Sequence, residues 1–582
     1  MAWVGANERR RSGMKLKMVS SGVLVDNLSR RDPHWRRYLT VFHIPSWTFR
    51  LDKTKGIVMT SPRTTLLLLG VLLLASTAFA QVAVLTQHND NYRTGQNTSE
   101  TILTHANVNS AKFGKLFSQV VDGLVYAQPL YVPNVNIPGK GMHNVVYVAT
   151  EHDTLYAFDA DNNTGANAAP LWKVSFIDPA HGINVVTSSD VSCNDLVPEI
   201  GITGTPAIDL ATKTMYLVTK TKENGIYAHK VHAIDITTGG EKFGGPVVVQ
   251  AHFPGHSDGS NQVTFEPHRE AQRAALLLQN GVVYISWASH CDIGPYHGWL
   301  MAYDAQTLQQ KTVWNSTPNG GLGGFWQAGA GIAADSRNLL YIASGNGTFD
   351  QNVKGKDYGD SIIKLGFNLA GKLVAKDYFT PHDEQFLENT DTDLGSGGVL
   401  LIPDIPNTAH PFLLVQVGKE GTVYVTNRNR LGKFNPNDDS QIIQSLPGAV
   451  GGTWGMPAFW NNNVYFGGVG DNVKMFSFDP ASGKLSTTPI SNTPTFFNYP
   501  GTTPSISANG VSNGILWALQ TDRNPEVLHA YDATNLSTEL YNTTQNSARD
   551  NAGAAVKFVV PTIANGKVYV PAQKQLSVYG LL

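Results

Sequence analysis

Between Trp326 and Lys419 the chain gathers side chains able to bind a cation, take a proton and donate to a carbonyl. Ser344-Gly345-Asn346-Gly347 offers an amide oxygen, Asp383, Asp391 and Asp393 offer carboxylates, and Gly418-Lys419-Glu420-Gly421 carries an ammonium on a turn. Oxygen donors are what a hard cation such as calcium takes. A carboxylate accepts a proton from a hydroxyl more readily once burial raises its proton affinity, and an ammonium stabilises an oxyanion. These groups act together only if the apolar runs between them fold the chain back onto one cavity.

Those runs repeat. From Asn144 onward a β-branched or aliphatic strand carrying an aromatic returns around Tyr147, Tyr216, Tyr284, Tyr341, Leu414, Tyr465, Trp517 and Tyr569, which makes eight copies. A partner strand ending in Ala-aromatic-Asp or a near variant follows five of them, at Asp159, Asp235, Asp304, Asp479 and Asp532. Period-two alternation marks half-buried strands, and the terminal Asp opens a turn. Asn280-Gly281 and Asn565-Gly566 supply hairpin turns in front of strands. Copies about 50 residues apart with several strands each, and without helices, read as propeller blades. The last copy ends at Leu576-Ser577-Val578-Tyr579-Gly580, short of an outer strand, while residues 112–117 form an orphan strand near the other end. Sharing one blade between the two ends would remove an exposed sheet edge.

Composition narrows the partners. Charged residues are 15% and the net charge is −2, so neither nucleic acid nor an acidic surface is expected. The apolar run at residues 66–74 follows Arg63 and precedes Ala78-Phe79-Ala80, the layout of a secretory signal spanning 59–80 with cleavage before Gln81. The run is too short for a comfortable membrane span, so no stable span is expected after cleavage. Residues 1–58 then read as a mis-assigned or disordered leader, with Met59 as the start. The rival reading is a signal-anchor behind a leader made basic by Arg9-Arg10-Arg11, Arg30-Arg31 and Arg36-Arg37. Both readings export the chain, to a periplasmic or secreted location, with 81–109 as an N-terminal extension and 110–582 as a single propeller domain. Cys193 and Cys291 are the two cysteines; an oxidising compartment permits them to pair, and their spacing leaves this open while offering neither a haem-attachment nor a zinc pattern.

Two motifs are read as architecture. Asp159-Ala160-Asp161-Asn162-Asn163-Thr164-Gly165 looks like a calcium loop, but its Gly is one place late and no helix flanks it. Gly255-His256-Ser257-Asp258-Gly259 fits Gly-x-Ser-x-Gly without the helix that exposes such a serine, and Ser257 is not expected to be a nucleophile.

Tyr156-Ala157-Phe158-Asp159 leading through Thr164-Gly165 to Leu171-Trp172 resembles the tryptophan-docking repeat of the quinoprotein dehydrogenases, propeller enzymes that use pyrroloquinoline quinone (PQQ); Trp314 is a second match. The resemblance implies an all-β, eight-bladed β-propeller of quinoprotein alcohol dehydrogenase type. Its blades would have four antiparallel strands, the last closed by the N-terminal strand. It also assigns roles. Asp292, ahead of Ala302-Tyr303-Asp304-Ala305, takes the place of a metal-binding carboxylate, and Asn346 of a second ligand. Trp326 would form the floor under the quinone. Thr380-Pro381-His382-Asp383-Glu384 leads on to Asp393, which would be the catalytic base and a third metal ligand, with Asp391 as its understudy. Lys419 would hold the reactive quinone carbonyl. PQQ and Ca2+ are the implied cofactors, and the implied function is oxidation of an alcohol or sugar hydroxyl with electrons passed to an unidentified acceptor. The alternative is a non-catalytic propeller that binds a protein or glycan through its inserted loops. The enzyme reading requires Asp292, Asn346, Asp393 and Lys419 to converge on one axial cavity.

Overall fold

The computed structural model describes residues 81–582; the expectations for the leader and the signal segment lie outside the described residues. Among the described residues no helix is long and apolar enough to cross a membrane.

All eight repeat positions fall on the second strand of a blade. Blade one is Leu130–Ile137, Gly141–Thr150, Thr154–Asp159 and Trp172–Ser175, each antiparallel to the next. Blade four repeats this order with Ala333–Ala334, Leu340–Ala343, Ile362–Phe367 and Leu373–Phe379. The expected sharing of the last blade holds. Phe113–Leu124 pairs antiparallel with the final stretch of Lys567–Leu581, whose opening stretch pairs with Thr562–Ala564. Lys567–Leu581 doubles back at Lys574, which adopts φ 57°, so three continuous runs supply the four lanes of blade eight.

The Ala-aromatic-Asp phrase has a structural reason. Asp159 Oδ1 accepts from the amides of Asp161 and Asn162, Asp304 Oδ1 from those of Gln306 and Thr307, and Asp532 Oδ1 from that of Thr534. The carboxylate tightens the turn and leaves the carbonyl of the following residue free to face the neighbouring blade. That carbonyl meets the repeated tyrosine: Tyr147 OH donates to Ile236 O, Tyr216 OH to Ala305 O, Tyr465 OH to Ala533 O, and Tyr569 OH to Ala160 O. The last of these joins blade eight to blade one. Trp172 reinforces the first junction, its Nε1 donating to Ile236 O.

The stretch before Phe113 is built into the ring. Val84 exchanges backbone hydrogen bonds with Tyr131 of blade one, and Leu85 O accepts from Ile208 N of blade two. Asn91 reaches blade three through Leu278 O and blade four through Ala334 N. Tyr92 O, Thr94 O and Gly95 O accept from Leu401, Phe459 and Ile506 of blades five, six and seven, and Asn97 Nδ2 donates to Ile563 O of blade eight. One segment thus ties every first strand in ring order. At its centre Arg93 is fully buried and donates to Ile332 O, Thr86 Oγ1, Gln87 O and Leu276 O. Burial pulls its proton affinity down to a pKa of about 10, so it stays charged at neutral pH. Arg93→Ala strands these acceptors and is expected to cost roughly 3 kcal/mol or more. Lysine cannot span the same set, so Arg93→Lys should recover little; urea unfolding followed by tryptophan fluorescence checks both.

Candidate functional site

Asp292, Asn346 and Lys419 each lie just past the second strand of their blade: Val282–Ser289, Leu340–Ala343 and Leu413–Val417, in blades three, four and five. Trp326 and Asp393 lie in the segments entering the first strands of blades four and five. Because first and second strands are antiparallel, these places share one end of the propeller. The segment carrying Arg93 bonds mainly further along the first strands, toward the opposite end. The site residues therefore meet because equivalent corners of three successive blades face one axis.

Asp393 is the centre. It is 4% exposed, its Oδ1 accepts from the Asn346 amide at 2.8 Å, and its Oδ2 lies 2.5 Å from Lys419 Nζ. The Lys419 amide donates to Asp393 O, and Lys419 Nζ also reaches Asp391 Oδ1 at 2.9 Å. Burial raises Asp393 above the ordinary carboxylate value, with Lys419 opposing. Burial alone would lower Lys419, but Asp393 and Asp391 together leave it raised and charged. Gly345 and Gly418 are there for space: a Cβ on Gly345 would strike the Asp393 carboxylate and the Trp326 ring, and one on Gly418 would strike Asp393 O.

Asp292, Trp326, Asp393 and Lys419 line one cavity. Asn346 borders it through Asp393, and among the described residues neither its buried side-chain oxygen nor the buried Trp326 Nε1 has a hydrogen-bond partner. Trp326 stands edge-on to Tyr296, ring centroids 6.2 Å apart, and Tyr296 OH donates to Asp292 at the exposed mouth. Burial raises Asp292, and Asp393 adds to this while Tyr296 opposes. Of the four groups required to converge, Asp292, Asp393 and Lys419 line this cavity, whereas Asn346 is not among its walls and is joined to it by the hydrogen bond from its amide to Asp393. Asp391 is exposed and serves as a second partner of Lys419 rather than a cavity wall. His382 turns to Asp439 on blade five at 3.1 Å, and Asp383 precedes a short helix, Glu384–Asn389, that fills the insertion before Asp393.

The cavity has further walls that the repeat does not mark: Asp195, Arg273, Ser396, Trp454 and Tyr499. Arg273 lies over the Phe558 ring at 4.1 Å with Nη2 unpartnered. Its only sequence signal is its place just ahead of a first strand. Gln327 and Ala328, beside Trp326, both adopt left-handed backbone at φ 45° and 44°, a strain that clusters at functional sites. Asp195, Arg273 and Trp326 also border an adjoining cavity containing Lys220, whose Nζ donates to Glu270 O and lies 2.6 Å from His290 Nε2. Burial pulls Lys220 down to about 7.

Cys193 and Cys291 form a disulfide across 98 residues, Cα atoms 5.7 Å apart, with the sulfurs close to the Asp195 carboxylate. Among the described residues no other group of three or more His, Cys, Asp or Glu has ligand atoms this close together. With both sulfurs oxidised it is not a metal site.

No family model matches the chain, and no curated protein matches it. Solved structures do. A quinohemoprotein alcohol dehydrogenase, ADHIIG, from Pseudomonas putida HK5 is similar at 15% identity and TM-score 0.55, covering 86% of this chain and 80% of its own. The quinohemoprotein alcohol dehydrogenase from Comamonas testosteroni gives 15% and 0.55, covering 88% and 82%. A europium-containing methanol dehydrogenase gives 14% and 0.55, covering 86% and 98%. These likenesses show the fold, an eight-bladed propeller of quinoprotein alcohol dehydrogenase type in a divergent sequence.

The Asp393–Lys419 pair should behave as a coupled unit. A double-mutant cycle with Asp393→Asn and Lys419→Met is expected to give an interaction of about 1–3 kcal/mol, with Lys419→Met alone the costlier change because it leaves a buried carboxylate unpaired. Urea midpoints of the four proteins provide the measurement.

Proposed function

We propose that this propeller is an exported oxidoreductase that uses PQQ and calcium to oxidise an alcohol or sugar hydroxyl. The observation carrying the reading is the convergence of Asp393, Lys419, Trp326 and Asp292 on one cavity with the unpartnered oxygen of Asn346 beside it. The residues fit such a cofactor. Asn346 Oδ1 is a buried acceptor waiting for a donor or a cation, and Asp292 and Asp393 add carboxylate oxygens of the kind calcium takes. Calcium needs about six to eight oxygens, so the protein's few leave room for those of the cofactor. When bound, the quinone would accept the electrons of the alcohol while the ion polarises its carbonyl as a Lewis acid.

The chain's own groups divide the remaining work. Trp326 offers a flat apolar face and a free Nε1–H. Lys419, held charged by two carboxylates, donates toward an oxygen that gains negative charge. Asp393 keeps unused lone pairs on both oxygens and takes the proton of the substrate hydroxyl, which its raised proton affinity assists. Arg273 lines the same cavity with Nη2 buried and unpartnered among the described residues, and a guanidinium there suits an anionic substituent. The disulfide supports an oxidising, exported location, periplasmic or secreted.

The full chain, mixed with PQQ and calcium, is expected to bind the quinone with quenching of tryptophan fluorescence and to reduce a dye when given an alcohol or sugar. Asp393→Asn should lower kcat at least about a hundredfold while quinone binding persists. Absence of quinone binding would overturn the reading and favour the loop-binding propeller. The pH profile gives a second check. Asp393 works deprotonated and its proton affinity is raised, so turnover should fall on acidification with a midpoint above the ordinary Asp value of about 3.9.

A further inference from the structure

Between blades two and three a hairpin, His252–Pro254 paired with Gln262–Thr264, carries Gly255-His256-Ser257-Asp258-Gly259 at its tip. The chain returns into a strand there, so the strand-to-helix context of a serine hydrolase is absent. The fold nevertheless brings a base to the serine. His297, 40 residues further on, places Nε2 3.2 Å from Ser257 Oγ.

The hydrogen bonds around His297 settle which nitrogen is free. Thr317 donates its hydroxyl proton to Leu322 O at 2.7 Å. A hydroxyl has one proton, so Thr317 Oγ1, 3.1 Å from His297 Nδ1, accepts from that nitrogen. Nδ1 therefore carries the hydrogen, and Nε2 presents its lone pair to Ser257. The ring is 4% exposed and stands edge-on to Trp299, and its burial, against the opposing pull of Asp258, lowers its pKa and keeps it a neutral base. The serine proton has two acceptors, Nε2 and Asp258 Oδ1 at 3.0 Å. Asp258 Oδ1 is also 3.8 Å from Nε2, near enough to stabilise an imidazolium formed there.

The tip is held in place and left open. The amides of His256 and Ser257 both donate to Pro318 O, which fixes the serine relative to the loop after blade three. Among the described residues the Asp258 amide has no hydrogen-bond partner, and as the donor next to Ser257 it is free for a developing oxyanion. Ser257 is half-buried, while His256, Asp258, Gly259 and Ser260 are exposed and build no deep acyl pocket.

We propose that Ser257, with His297 as general base and Thr317 as the residue that orients it, is an acyl-accepting serine that hydrolyses short-chain carboxylic esters at a site separate from the axial cavity. Ser257 Oγ bonds to the ester carbonyl carbon as its proton passes to His297 Nε2. The bond from that carbon to the alcohol oxygen breaks, and the alcohol leaves with the proton. Water then gives a proton to Nε2 and bonds to the acyl carbon, and the carboxylic acid departs as Ser257 Oγ regains its proton. No electrons are exchanged with another reagent, and no cofactor is needed.

The test uses the full chain without added quinone. A fluorophosphonate reagent should add once, and peptide mass mapping should place the adduct on Ser257. The protein should also hydrolyse p-nitrophenyl acetate. Ser257→Ala should remove the adduct and at least nine-tenths of the hydrolysis, and His297→Gln should slow both by about a hundredfold. Thr317→Val should lower kcat with KM little changed and shift the acid limb of the pH profile, effects that a merely structural role would not produce. No adduct on the wild-type protein, an adduct elsewhere, or unchanged hydrolysis by Ser257→Ala would each overturn the proposal. The wild-type labelling result stands even if a variant of the buried histidine fails to fold.

Discussion

The propeller depends on one repeated contact, the phenol of a second-strand tyrosine donating to the backbone carbonyl just past the Asp of the next blade. Four of the eight junctions use it, and it couples two requirements. The turn must be tight enough to expose that carbonyl, which is the work of the Asp side chain. The phenol must be buried without ever ionising, and burial itself ensures this, pushing Tyr216 up to about 12 and Tyr569 well above its usual value. A buried hydroxyl without an acceptor would destabilise the fold. The contact therefore fixes the angular step between blades as well as their adhesion. The junction of blades four and five is different: Tyr341 OH donates to Asp335, which pairs with the fully buried Arg428 at 3.4 Å. Charge replaces the neutral latch at this junction.

That frame makes the axial site possible. Loops after equivalent strands start from equivalent points, so side chains distant in sequence meet without any being close neighbours in the chain. Asp393 shows what this requires: a buried carboxylate held by a backbone amide and one ammonium, with glycines clearing space on either side. Along the axis the segment around Arg93 ties the first strands together, so groups at the cavity rest on walls that cannot splay independently.

The fold was legible because its repeat is written in side chains. Tyrosine, the Ala-aromatic-Asp ending and the Asn-Gly turns are each demanded by a local contact, and the orphan strand betrayed the closure. Asn346, Asp393 and Lys419 could be singled out because the motifs around them come in an order that resembles the quinoprotein dehydrogenases. Arg273, Asp195, Trp454 and Tyr499 could not, since they reach the axis from loops whose shape no periodicity encodes. The ring-spanning role of residues 82–100 was hidden for another reason: most of its bonds are made by main-chain atoms, and a carbonyl accepts alike whatever its side chain. Pairing of Cys193 with Cys291 needed the distance between two loops. The sequence argues against Ser257 through the helix missing after it, and the approach of His297, 40 residues away and bonded to a threonine, is visible only in the fold.

The pairing of Phe113–Leu124 with the end of Lys567–Leu581 sets an order in time as well as in space. During synthesis Phe113–Leu124 appears ahead of all eight repeat copies and must wait for them, because its partner lies beyond the last of them. Until then both ends are open sheet edges, the condition that favours pairing with another molecule. Closure across more than 400 residues is slow compared with hairpin formation within a blade. A chain cut short by even its last strand would keep seven complete blades and lose the ring, and such a product is expected to aggregate rather than persist as a smaller propeller.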